Sequence, residues 1–96
     1  MARVVIAERA QVNLSRMILT HSLPANTRER VRSAIAPLDE FPQLGPELKG
    51  RWRHFRFVLG PWSWMLIVYR WDEATDTVVV VTIQDARSSP AATSDQ

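Results

Sequence analysis

The chain contains no cysteine, which excludes disulfides, thiolate nucleophiles and sulfur-ligated zinc, and leaves a reducing compartment unopposed. Its two histidines are too few to cage a metal by themselves, so neither a metal nor another cofactor is expected. No apolar run approaches the roughly 20 residues that span a bilayer, and the opening MARVVIAERA puts Glu8 where a secretory signal needs apolar continuity. A cytoplasmic protein without membrane contact is the expectation. A Gly-rich phosphate loop, an HExxH helix, a GxSxG elbow and paired carboxylates on one element are also missing, which argues against small-molecule enzymology. With 96 residues there is material for one core but not for two lobes with a cleft between them. Any active site must therefore lie on an open face.

Bulk charge carries little signal, because twelve Lys and Arg stand against ten Asp and Glu. Clustering carries more. From Lys49 to Arg70 the sequence KGRWRHFRFVLGPWSWMLIVYR holds five cationic residues and His54, interleaved with aromatics and free of any carboxylate. Guanidinium groups fork onto phosphate oxygens while flat rings stack on bases, so Lys49, Arg51, Arg53, Arg56 and, further on, Arg87 are candidates for binding nucleic acid or another polyanionic target. The competing reading is a hairpin whose rings fill the core and whose arginines are merely solvated.

Periodicity gives the order of elements. Val4 to Ile6 form a β-branched first strand. Ala10, Leu14, Met17 and Ile18 then fall at helical spacing, which predicts an amphipathic helix from about Glu8 to Thr20. Pro24 breaks it, and a second helix starts at Asn26, whose side chain is expected to cap it, with Val31, Ile35 and Leu38 as its buried stripe. Pro37 should kink its last turn and Pro42 end it. Beyond Gly45, Pro46 and Gly50 the period becomes two: Phe55, Phe57 and Leu59 alternate with His54, Arg56 and Val58. The next two strands, WSWMLIVYRW and TVVVVTIQ, are apolar on both faces. Residues 1–87 thus make one α+β domain of order β-α-α-β-β-β, with both helices on one face of a small, mainly antiparallel sheet, and 88–96 make a polar, mobile tail. Two helices cover one face only. Alternation then predicts that Trp62, Trp64, Leu66 and Val68 form an exposed apolar patch for a partner, unless Met65, Ile67 and Tyr69 do so instead.

The element order, the LDEFPQLGPELKG connection, the WMLIVYR strand and a last strand ending in QDAR resemble the RelE/ParE superfamily of toxins from bacterial type II toxin-antitoxin systems, over Val4 to Arg87. The resemblance implies a cognate antitoxin, and either a homodimer or a heterotetramer with that antitoxin. It also implies one of two targets: the ribosome, on which mRNA is cut, or DNA gyrase, which is inhibited by binding alone.

Cutting RNA at a 2′-hydroxyl needs a proton acceptor, cations for the charge on the phosphorane and an acid for the leaving oxygen. By the resemblance, Arg56 matches the basic position of the first meander strand and Arg87 the terminal one, while His54 could serve as the base. Other family positions are not matched. Val58, and Leu66 or Met65, stand where cations are expected, and SSPAATSDQ after Arg87 lacks a tyrosine, histidine or lysine. Each missing group is worth about 10²-fold or more in rate. The balance favours inhibition by binding; an mRNA endonuclease using Arg56, Arg87 and His54, or a non-toxic RNA-binding or scaffold domain, are the alternatives.

Overall fold

The computed structural model of the chain describes residues 1–88 and 90–93. Strand β1 (Arg3–Ile6) leads into helix α1 (Glu8–Thr20), followed by helix α2 (Thr27–Ile35), and then by β2 (Arg56–Leu59), β3 (Met65–Asp72) and β4 (Thr77–Asp85). The sheet has the order β1-β4-β3-β2. β4 pairs antiparallel with β3, β3 antiparallel with β2, and β1 parallel with β4. The crossover that parallel pairing requires is the helical hairpin, so the expected α+β layout is the observed one.

α1 spans the predicted residues, but Pro24 is not what stops it. Ser22 adopts a left-handed conformation (φ 49°), Ser22 N–H bonds to Leu19 O and Leu23 N–H reaches back to Ile18 O at 3.1 Å, the six-to-one closure that satisfies the orphan carbonyls of a helix end. Pro24 lies just outside. Asn26 stands at the N-cap of α2 but makes no capping bond with its side chain. The hydroxyl of Thr27 donates instead to Pro24 O at 2.6 Å, which ties the first turn of α2 to the connection before it. Pro37 falls in a short 3-10 turn, Ala36–Asp39, that continues α2.

Met65 to Tyr69 are all buried, as a strand covered on both faces must be. Met65, Ile67 and Tyr69 join Leu14, Val31, Ile35, Val78 and Val80 under the helices. Leu66 and Val68 pack on the other face against Leu48, Trp52, Phe55, Phe57 and Ala92. The expected exposed patch is therefore corrected. Leu66 is 1 % exposed and Val68 0 %, because the irregular segment before β2 and the C-terminal segment fold over the face that the helices leave bare. Trp62 and Trp64 do not share that face either: they precede β3 in a turn closed by Met65 N–H to Trp62 O at 3.0 Å, where the two-residue alternation does not apply, and they pack on the helix side.

The tail is not wholly free of the domain. Ala91 and Ala92 are buried, and Ala92 N–H donates to Gln84 Oε1 at 2.7 Å. The expectation of mobility for Ser89 and for 94–96 lies outside the described residues.

Candidate functional site

Beside the apolar packing of Ala10 and Leu14, α1 is hydrogen-bonded to β4 through Asn13. Beyond Ile6, which pairs with Val80, β1 ends and β4 runs on without it, leaving backbone groups in need of partners. Asn13 Oδ1 accepts from the Thr82 hydroxyl at 2.7 Å and from Ile83 N–H at 3.2 Å. A register shift at Val68/Tyr69, where Val68 pairs with Thr82 and Tyr69 with Val80, leaves Val81 as an extra residue, the bend by which a bulge re-aims a strand end.

This joint floors an open groove of about 900 Å³. One wall is α1 with Arg9, Arg16 and His21; the opposite wall is the 3-10 turn Gly50–Trp52 with Arg51, Trp52 and Phe55; the end is closed by Asp85 and Ser88. Arg9 and Arg16 are seven residues apart, two helical turns and roughly 10.5 Å along one face. Among the described residues, none of Arg9, Arg16 and Arg51 has a carboxylate within ion-pair distance. Trp52 and Phe55 meet edge to face at 5.5 Å and remain half-buried, so part of each ring stays accessible. Guanidinium groups along one wall, with a further one beside aromatic faces on the other, are what an extended polyanion with flat bases requires.

At the closed end lies a polar cluster that no local pattern announces. Arg87 grips Asp85 with Nε at 2.9 Å and an Nη at 2.8 Å, and His21 Nε2 lies 3.2 Å from the Asp85 carboxylate. Asp85 only accepts, so His21 Nε2 carries the proton and donates; Nδ1 faces the Thr20 hydroxyl at 2.9 Å. The His21 ring stacks on Trp64 at 4.8 Å, Trp64 on Trp62 at 6.0 Å, and Arg87 and Arg30 sit over Trp64 and Trp62 at 4.9 and 4.6 Å. The bidentate Arg87 bond holds the Asp85 carboxyl well below the usual carboxylate range, with Arg87 N–H and His21 adding to it against partial burial. The same bond raises the Arg87 guanidinium.

The predicted catalytic residues are not brought together. Arg56 donates to Gly45 O at 2.8 Å and to Glu47 at 3.0 Å, with a longer contact to Gln43 O, so its guanidinium is occupied in holding the loop before β2. His54 is exposed and lies in the turn ahead of β2 rather than on its face beside Arg56. Arg87 does not line the groove; it is paired with Asp85, which does. Of the predicted binding residues, Arg51 lines the groove, while Lys49 and Arg53 flank it without lining it. Sequence reasoning missed Arg9 and Arg16, although their seven-residue spacing beside the apolar stripe of α1 was readable. It also missed His21, whose partner is 64 residues away.

No protein-family profile matches the chain, and no curated protein sequence matches it. Solved structures do. A chain of the intact Escherichia coli RelBE toxin-antitoxin complex superposes with a TM-score of 0.65 at 17 % identity, over 92 % of this chain and 100 % of that one. The isolated E. coli RelE toxin gives 0.64 at 20 % identity, over 94 % and 89 %, and a metal-bound toxin from Helicobacter pylori gives 0.64 at 16 % identity, over 88 % and 94 %. At these identities the likeness concerns architecture, and on that evidence the chain has the fold of RelE toxins.

Proposed function

We propose that the chain is the toxin component of a toxin-antitoxin pair, and that it arrests growth by binding nucleic acid at its target through the Arg9–Arg16–Arg51 groove, without cutting it. The observation that carries this reading is the groove itself: three guanidinium groups that have no carboxylate partner among the described residues share it with two aromatic rings, on a fold also found in RelE toxins and RelBE complexes. Binding is favoured over cleavage because the groups that could move protons are engaged or displaced. Both nitrogens of His21 have partners, the Tyr69 hydroxyl is buried between Pro42 and Gly45, and Arg56 holds a loop. The occupant is a stretch of mRNA on the ribosome or of DNA held by gyrase; the same groove chemistry serves either.

A second reading, ribosome-dependent mRNA cleavage, is supported by His21, which lines the groove beside Asp85, with the Arg87 guanidinium behind that carboxylate, so that an imidazole and a nearby cation would approach a bound phosphate. The test is induction of the chain with and without its neighbouring reading frame, mapping mRNA ends and DNA breaks. The proposal expects arrest that the neighbour relieves, with no new mRNA ends. New ends that appear only on translated messages overturn the binding mechanism, and normal growth overturns the toxin reading.

A further inference from the structure

The loop between the 3-10 turn and β2 is held with unusual completeness for an exposed connection. The N–H groups of Glu40 and Phe41 both bond to Pro37 O, and Leu44 N–H bonds to Phe41 O. Gly45 N–H donates to the Tyr69 hydroxyl at 3.0 Å, and that hydroxyl donates to Pro42 O at 2.8 Å. Arg56 takes the carbonyls of Gln43 and Gly45. Gly45 is required at the close approach, since a Cβ there would overlap Phe57 O. A buried tyrosine, a half-buried arginine and a glycine thus fix the backbone of a six-residue stretch.

What that rigid backbone displays is apolar. Phe41 is 57 % exposed and Leu44 56 %, and with Pro42 and Trp71 they line a notch of about 380 Å³. Scattered exposed apolar side chains are ordinary, but two presented side by side on a pre-organised loop beside a pocket have the anatomy of an anchor site, where fixed geometry lowers the ordering cost of binding. The surrounding charge is acidic. Among the described residues that line the notch Glu40 is the one with a charge, and Asp76 accepts the indole N–H of Trp71, which also lines it, at 3.1 Å.

We infer that the Phe41–Leu44–Trp71 notch is a docking site for a protein segment carrying an apolar anchor flanked by lysine or arginine. The anchor fills the notch, and the flanking cations meet the carboxylate rim, which sets salt dependence and discriminates against acidic segments. This surface is separate from the cationic groove, and its occupant has the opposite charge.

The experiment is an NMR titration of the full chain with a short synthetic peptide bearing Trp and Leu one helical turn apart among lysines, and with its Lys→Glu counterpart. Expected are saturable shifts of the Trp71 indole N–H and the Leu44 and Gly45 amides with the lysine peptide alone, weakening as salt rises. Phe41→Ser/Leu44→Ser and, separately, Glu40→Lys should each weaken binding about tenfold or more. Glu40→Lys keeps the apolar pair and the loop's backbone bonds, so it reads charge without disturbing the fold. The proposal is overturned if those signals do not move, if the glutamate peptide binds as well, if only groove signals such as Arg51 shift, or if the free protein's own concentration moves them, which would make the occupant a second copy.

Discussion

Arg56 and Tyr69 are paired across β2 and β3, and both close on Gly45: the Tyr69 hydroxyl accepts its N–H at 3.0 Å while Arg56 donates to its carbonyl at 2.8 Å. Arg56, which sequence reasoning places near catalysis, is thus a structural partner of one loop, together with Tyr69. Burial raises the Tyr69 phenol above its ordinary range, against the Gly45 N–H and the Arg56 charge, which lower it.

Tyr69→Phe removes a donor and an acceptor together and leaves Gly45 N–H and Pro42 O without their side-chain partner. Stability should fall by about 1–3 kcal/mol, read from the urea midpoint at unchanged slope. For the wild type the sign with pH is fixed: a phenol whose folded-state value lies above the unfolded one stabilises fully below about pH 10, and that stability is lost as pH rises through the folded value. Tyr69→Phe should abolish this alkaline loss. Gly45→Ala should fail to fold, since its Cβ would overlap the Phe57 carbonyl.

Asn13→Ala strands the Thr82 hydroxyl and Ile83 N–H where α1 meets β4. The expected cost is about 1–3 kcal/mol, with amide exchange accelerating first at Ile83 and along the second half of α1. Exchange that accelerates uniformly through the sheet would deny Asn13 its role as the joint.

Ser22 carries a left-handed backbone at the end of α1, a conformation that is unfavourable by roughly 1 kcal/mol for an L side chain. Ser22→Gly should raise the melting temperature, because glycine adopts it without that penalty. A lower melting temperature would show that the serine side chain stabilises the connection.

Asp85 has its carboxyl held below the usual range by Arg87. A depressed carboxylate contributes stability that is complete above its unfolded value, about pH 4, and is lost as pH falls through the lower folded value. Asp85→Asn should flatten the acid limb of the stability curve below about pH 4 and leave neutral behaviour otherwise similar in shape. An unchanged acid limb would mean that the bond to Arg87 does not persist in solution.

Much of the fold was legible because its signals are local. The apolar stripe of α1 reads directly as Glu8–Thr20, and the residues from Met65 to Tyr69 read as a strand that is apolar on both faces. The cover on the second face was not legible, because Leu48, Phe55 and Ala92 come from an irregular segment and a tail without period. Trp62 and Trp64 misled for a related reason: alternation was extended into a turn where the backbone is not extended. Of the residues that line the groove, charge clustering singles out Arg51. His21, Asp85 and Trp64 meet only through tertiary contact between the end of α1, the β2–β3 turn and the end of β4, which no window on the sequence contains.

The Arg9–Arg16–Arg51 groove is proposed to hold nucleic acid. Its most direct measurement is the affinity of a fluorescent single-stranded oligonucleotide for the wild type and for Arg9→Glu/Arg16→Glu/Arg51→Glu across a range of salt, with circular dichroism confirming the fold. These exposed charges contribute little to stability, on the order of 0–1 kcal/mol each, so the variant should fold. Each phosphate contact on a single strand contributes about 0.7 to the slope of log affinity against log salt. The account predicts binding by the wild type, a slope in the variant shallower by about 2, and loss of growth arrest with it. A folded variant that binds with the wild-type slope and still arrests growth would contradict it.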